Sequence, residues 1–358
     1  MRDEVLAGWQ ARIRAAHASR TPLRIRGGGT KDFYGHAPTG ETLDTTDCEG
    51  IVDYDPTELV ITARAGTRLT EIEEAMRGAG QMLAFEPPHF GAAATLGGAI
   101  ATGLSGPRRP YAGAVRDLML GVRVIDGTGE DLTFGGRVMK NVAGFDVARL
   151  MTGALGTLGV IAEASLKCLP LPKAEATRVL ECSADEAIRT GNEWGGKPLP
   201  LSATCYRAGR LAVRLSGAAP AVDAAIAKIG GEALADDATF WTGVREHTDP
   251  FFAAAPAGAP LWRLAVKSTA PYTDLSGEQL IEWGGGLRWL AAGEQTDPAR
   301  VRAWAKVHGG HATLFRAADK SAGVFQPLPP PLMEIHRRLK AEFDPAGILN
   351  PGRLYPGL

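Results

Sequence analysis

The sequence has no apolar run approaching the ~20 residues that a membrane-crossing helix requires, and its opening segment, MRDEVLAGWQARIRAAHASR, has no apolar signal-peptide core. A cytoplasmic chain is expected, one that would meet a membrane only peripherally, through an assembly. Charge of neither sign is in excess: 39 lysines and arginines face 40 acidic residues, for a formal net charge of −1. Without a global field, nucleic acid and acidic lipid surfaces are poor partners. The four cysteines, Cys48, Cys168, Cys182 and Cys205, are scattered without a C-x-x-C pair, so an iron–sulfur cluster or zinc would lack ligands and no metal is expected. No fixed-period repeat or low-complexity tract is present.

Two nucleotide motifs are started and not finished. Gly191 to Lys197 fits the first seven positions of a P-loop, but Pro198 stands where a hydroxyl should reach Mg²⁺. Gly27-x-Gly29 lacks the third glycine of a dinucleotide fingerprint, because Asp32 occupies its place. Both readings are rejected.

What is abundant is glycine, 45 residues of 358, and two runs of it stand out: RIRGGGTKDFYG from Arg24 to Gly35 and TLGGAIATG from Thr95 to Gly103. Glycine runs let backbone N–H groups approach an anion with no Cβ in the way, and successive N–H groups in a turn form an anion-binding concavity. Two separated loops suggest one extended ligand containing phosphate. A third run, Gly153, Gly156 and Gly159, has glycines at a period of three before an apolar stretch; close helix–strand packing explains it equally well.

At this length more than one core is expected. Apolar spacing predicts a helix over Asp3 to Ser19, and alternation predicts a strand over Leu23 to Arg26 that feeds the first glycine run. Glu58 to Gly66 reads as a strand, and Thr70-Glu-Ile-Glu73 as a capping box opening a helix that ends near Gly78 to Gly80. Leu118 to Ile125 and Asp131 to Phe134 form a hairpin about Asp126 to Gly129. Asp146 to Leu155 is a short helix and Leu158 to Leu169 a strand. Beyond Pro170-Leu171-Pro172 the pattern becomes short alternating α and β: a helix from Asp185 to Arg189, a hairpin at Ala208-Gly209, a helix from Ala221 to Ile229, a strand from Leu261 to Lys267, a helix from Pro298 to Val307 and a strand from His311 to Arg316. A helix from Leu332 to Phe343 and a coil complete the chain. The expected divisions are residues 1–172, 173–325 and 326–358, in an α+β fold.

In order and wording these segments resemble the FAD domain of the vanillyl-alcohol-oxidase, or PCMH-type, flavoprotein superfamily. Tyr111-Ala-Gly113-Ala-Val-Arg116-Asp117, Lys140-Asn141-Val-Ala-Gly144-Phe-Asp146 and the terminal Phe343 to Arg353 resemble its D-2-hydroxy-acid dehydrogenase branch. Within that branch the chain is most similar to the FAD-binding subunits of bacterial glycolate oxidase complexes. The resemblance implies a two-subdomain FAD-binding domain with a smaller α+β cap, and noncovalent FAD, since Thr30 stands where a histidine link often does. It implies that Arg26, Gly27, Gly28, Gly29 and Thr30, with Thr95, Leu96, Gly97, Gly98, Thr102 and Gly103, hold the pyrophosphate. Gly156, Gly159 and Ile161 would reach the adenosine end, and Pro88, Gly113, Asp117 and Asn350 complete the site. Apolar Leu96, Ile100 and Ile161 would pack the rings. The implied partners are a sister flavin subunit, an iron–sulfur subunit and glycolate.

The catalytic residues are not legible. The histidine-rich motif resembling G-D-G-N-x-H that catalytic relatives carry is missing. His308 and His311 lie in VHGGHATLF with glycines between them and no carboxylate nearby, which reads as a loop; His89 reads as structural. Arg108, Arg109, Arg263, Arg288 and Arg316 each have the guanidinium fork that would bind a hydroxy-acid carboxylate, and the sequence does not choose among them. Three functions remain open: an electron-relay or assembly subunit retaining FAD, a self-sufficient hydroxy-acid dehydrogenase, and a scaffold without FAD.

Overall fold

A computed structural model describes residues 2–136, 146–293 and 296–358. The chain forms two compact units. The first comprises Met1–Leu104, Ala114–Leu171 and Pro327–Leu358, and the second Ser105–Gly113 and Pro172–Gln326.

The first unit is built on a five-stranded antiparallel sheet in the order Ile51–Asp55, Val60–Arg64, Val160–Lys167, Met119–Ile125, Asp131–Gly135. The opening helix, Arg2–Ser19, places Leu6, Trp9, Ile13 and Ala16 three or four residues apart, so that one stripe is buried with Ile125, Val160 and Ala162 of the sheet. Leu23–Arg26 is a strand, as the alternation predicts; it pairs in parallel with Glu41–Asp44 and is bridged at Leu23 to Leu349. The hairpin about Asp126 forms with its arms in register from Ile125↔Asp131 to Gly121↔Gly135.

Three local expectations are corrected. The helix beginning at Leu69 has Arg68, not Thr70, as its N-cap and no side-chain cap, because Leu69 is already helical; Glu73 bonds His89 at 3.1 Å instead. The Thr95 segment is not a loop but a helix, Leu96–Thr102, with Thr95 as N-cap and Gly103 ending it at φ 64. The helix expected from Asp146 to Leu155 is the single turn Val147–Leu150, capped by Asp146. The segment Lys140 to Phe145 lies outside the described residues.

The second unit is an eight-stranded sheet, paired antiparallel throughout, in the order Glu232–Ala233, Ala174–Glu181, Arg210–Gly217, Leu201–Arg207, Glu278–Glu282, Leu287–Ala291, Leu261–Ala265, His311–Arg316. Buried side chains of the helices Ala184–Gly195 and Ala219–Ile229 pack with Leu211, Val213 and Leu215. Helix Pro298–Val307 packs Val301 and Ala305 with Trp262, Leu264 and Leu314. The rejected P-loop match lies on helix Ala184–Gly195 and the residues just after it.

Candidate functional site

The first unit holds a cleft lined by residues from all three of the glycine-rich runs. It opens where the strand Leu23–Arg26 runs out into Gly27, Gly28 and Gly29. The N–H groups of Gly28, Gly29 and Thr30 make no backbone hydrogen bond to any described residue, so this turn presents donors to the cleft. Gly29 takes φ 73, and a Cβ there would meet the Arg26 guanidinium at 2.0 Å. Arg26 therefore lies across the turn, held by Nε donating to Asp32 Oδ2 at 2.8 Å; Arg24 Nη2 donates to the same oxygen at 2.7 Å. The hydrogen bond to Asp32, then its charge, raises the Arg26 pKa.

Helix Leu96–Thr102 supplies a second wall with a different character. The Gly97 N–H donates to Ala65 O at 2.8 Å and the Gly98 N–H to Thr95 Oγ1 at 3.3 Å, so both amides are engaged within the protein. These glycines matter for approach. A Cβ on Gly97 would come within 2.7 Å of Ala65 Cβ, whereas one on Gly98 would meet only Thr95 Oγ1, at 3.3 Å. The Thr102 hydroxyl donates to Gly98 O at 2.8 Å and is left as an acceptor.

The third wall comes from Leu155, Gly156, Gly159 and Ile161 together with the C-terminal segment. Asn350 Oδ1 accepts from Ile25 N at 2.8 Å while its Nδ2 donates to Leu155 O at 2.7 Å, so one amide ties two walls together. Gly156, at φ 71, has no room for a Cβ beside that amide, 2.7 Å away.

The cleft thus gathers Arg26, Gly27, Gly28, Gly29, Thr30, Thr95, Gly97, Gly98, Thr102, Gly156, Gly159, Ile161 and Asn350 from the sequence-based set. Leu96, Gly103, Gly113, Pro88 and Asp117 are not among its lining residues. Leu96 is 1% exposed, Gly103 is a helix cap, Gly113 belongs to the second unit, and Asp117 accepts from Ala114 N at 3.0 Å. Ile100 is likewise buried away from it.

Sequence reasoning missed Lys31, Asp32 and Arg353. Lys31 is buried with Nζ donating to His89 O at 3.2 Å, and Arg353 Nη2 donates to Asp32 O at 3.0 Å. With Arg26 these make three cations against one carboxylate on the cleft wall, an excess suited to a diphosphate. Ile25, Ala65, Ala101, Leu155 and Ile161 supply apolar wall for rings. These residues fit FAD: unbonded N–H groups and cations for its pyrophosphate, small and apolar side chains for its ring systems.

Comparisons with known proteins agree. Residues 7–135 match the family model for an FAD binding domain, and residues 319–354 match that for the C-terminal domain of FAD linked oxidases. A solved alkyldihydroxyacetonephosphate synthase superposes with a TM-score of 0.64 at 16% identity, covering 96% of this chain and 73% of that one, which shows a shared fold. The family models, fold and cleft together define a PCMH-type FAD-binding protein of the α+β class. Glycolate oxidase subunit GlcE of Escherichia coli K12 is 49% identical over 346 residues, 97% of this chain and 96% of the relative. Glycolate oxidase subunit GlcD of Bacillus subtilis 168 is 33% identical over 160 residues, 44% of this chain and 34% of that protein. The chain belongs to the family of the GlcE subunit of glycolate oxidase.

Proposed function

We propose that this chain is the FAD-holding relay or assembly subunit of a complex that oxidises glycolate to glyoxylate, working beside a sister flavin subunit and an iron–sulfur subunit that receives the electrons. The observation that carries the reading is the 49% identity to GlcE across 97% of the chain. Bound FAD supplies a two-electron acceptor for oxidation of a 2-hydroxy acid to a 2-oxo acid. The chain's own residues bind and orient: the Gly28 to Thr30 amides, Arg26, Lys31 and Arg353 take the pyrophosphate, and Asn350 fixes the distance between two walls. Thr30 follows the glycines, and neither histidine nor cysteine is among the cleft-lining residues, which supports a noncovalent cofactor. Residues 1–172 and 326–358 form the FAD domain in this reading, and 173–325 the cap.

The sequence lacks the metal motif of catalytic relatives, which favours placing glycolate oxidation on the sister flavin subunit. No described helix is long and apolar enough to cross a membrane, in keeping with a cytoplasmic subunit attached peripherally, if at all, through its complex. The test is to purify the chain, record its flavin spectrum and add glycolate without oxygen. Bound flavin that bleaches only when the sister subunit is added is expected. Absence of flavin would overturn the reading, and bleaching of the isolated chain would move the oxidation onto this subunit.

A further inference from the structure

The five arginines that the sequence leaves open all belong to the second unit, and none lines the cleft. Arg108 Nη2 donates to Glu175 Oε2 at 2.7 Å, and Arg288 is 1% exposed with donors on Gly285 O at 2.7 Å and Ala270 O at 2.8 Å. His89, which reads as structural in the sequence, has its carbonyl oxygen on a cleft-lining side chain.

The segment from Glu86 to Gly91 has neither helix nor strand to hold it. Pro87 and Pro88 offer no N–H, and Glu86, Phe90 and Gly91 take φ of 48, 53 and 137, conformations that persist only where the surroundings impose them. A side chain supplies one such constraint. Glu73 Oε1, from helix Leu69–Gly78, lies 3.1 Å from His89 Nε2, and the pair is shielded, with 20% of the Glu73 side chain and 12% of the His89 side chain exposed. An ionised carboxylate only accepts, so Nε2 carries a hydrogen and donates whether the ring is neutral or charged.

The same segment abuts the glycine turn. His89 O accepts from Lys31 Nζ at 3.2 Å, and the Phe90 ring centre lies 5.8 Å from that ammonium and 5.6 Å from the Phe33 ring centre. A Cβ on Gly91 would come within 3.3 Å of Thr30 Cγ2. Lys31 is 7% exposed and lines the cleft, so the carbonyl and the ring help to set where its charge stands. A lysine is a point charge on a flexible stem, and what fixes the stem decides what the charge meets.

We propose that Glu73 and His89 are positioning residues for the cofactor: their bond sets the 86–91 segment, whose carbonyl and ring hold the Lys31 ammonium at the cleft wall. Neither side chain lines the cleft itself. The proposal rests on the reading of the cleft as the FAD site and deepens it.

Action through Lys31 makes the losses non-additive. With FAD titrated into the cofactor-free full-length chain, Lys31→Met should raise Kd at least about tenfold, the effect of one charge-assisted bond, and His89→Ala and Glu73→Ala at least about threefold. Added to Lys31→Met, either alanine should change Kd by less than about twofold. Glu73→Gln and His89→Gln, which keep the acceptor and the donor, should stay within about twofold of wild type. Amine labelling of the cofactor-free chain, read by mass spectrometry, reports on the lysine directly. Lys31 should label at least about threefold faster in His89→Ala, while Lys340, 7% exposed in the same unit, keeps its rate.

Equal factors from His89→Ala in the wild-type and Lys31→Met backgrounds overturn the proposal. So does wild-type Kd in folded His89→Ala and Glu73→Ala, or in Lys31→Met. Faster labelling of Lys31 and Lys340 together means general loosening and overturns it too. Should either alanine variant unfold, the other carries the cycle and the labelling. A wild-type chain that binds no FAD overturns the reading of the cleft and the proposal with it, whereas FAD binding with additive losses overturns the proposal alone.

Discussion

Gly28 and Gly98 line one cleft and fail in different ways when a side chain is added. A Cβ on Gly28 would fall 1.6 Å from Ala93 O, so any substitution displaces backbone, and loss of cofactor there cannot be told from loss of fold. A Cβ on Gly98 meets only the Thr95 hydroxyl at 3.3 Å and otherwise enters the cleft. Gly98→Val should therefore keep the melting temperature of the cofactor-free chain within a few degrees and lose most bound flavin, read as the ratio of visible to ultraviolet absorbance. Full flavin occupancy would refute the cleft as the FAD site. In the second unit, Glu175 is opposed by burial but held below its ordinary value of 4.5 by Arg214, Ser216 and Arg108. A depressed carboxyl pKa stabilises the fold fully above the unfolded value and loses that contribution as pH falls through the folded one. Glu175→Gln should accordingly cost stability at pH 7, with its deficit against wild type shrinking below about pH 4.5 in acid-unfolding curves.

Helix Pro330–Phe343 closes the first unit through one buried lysine. Lys340 Nζ donates to Thr157 O at 2.8 Å, Asp344 Oδ2 at 2.6 Å and Leu349 O at 2.7 Å, so all three of its donors are used. Burial lowers its pKa, opposed by Asp344. Lys340→Met should destabilise by about 3–5 kcal/mol in urea, because it strands the Asp344 carboxylate and two carbonyls. Flavin should be lost as well, since the same segment carries Asn350 and Arg353 to the cleft. Elements with their own local signal were legible in the sequence: Leu23–Arg26, the Asp126 hairpin, helix Pro298–Val307 and strand His311–Arg316. The Thr95 helix was not, because LGGAIAT is too short to show a helical period and its glycines read as loop. The strands Glu278–Glu282 and Leu287–Ala291 were hidden by the three glycines between them. A true capping box at Ser183 and Glu186 went unread while Thr70 to Glu73 imitated one. Arg353 escaped because nothing local marks a residue whose partner, Asp32, is over 300 positions away, and Lys31 because its bond is to a backbone carbonyl, His89 O, 58 positions on.

Across the whole molecule, chain order and spatial grouping part company. The first unit is assembled from three separate stretches, so its cleft joins residue 26 to residue 353 and depends on the terminal segment returning after the second unit has been traversed. A ligand that spans all three stretches adds binding free energy to the assembled unit and none to the unfolded chain, by about 2.7 kcal/mol at a free concentration one hundred times Kd. That linkage should be visible as a pattern along the sequence. In hydrogen exchange on the full chain, saturating FAD is expected to slow exchange at Gly27 to Thr30, Thr95 to Thr102 and Gly156 to Ile161, and to do so together with residues 348–353. The hairpin Leu201–Gly217, whose ladder runs inside the second unit, should keep its rate. Protection of the glycine turn without the terminal segment would mean that the C-terminal stretch is not part of the cofactor's wall, and the cleft would have to be redrawn without Asn350 and Arg353.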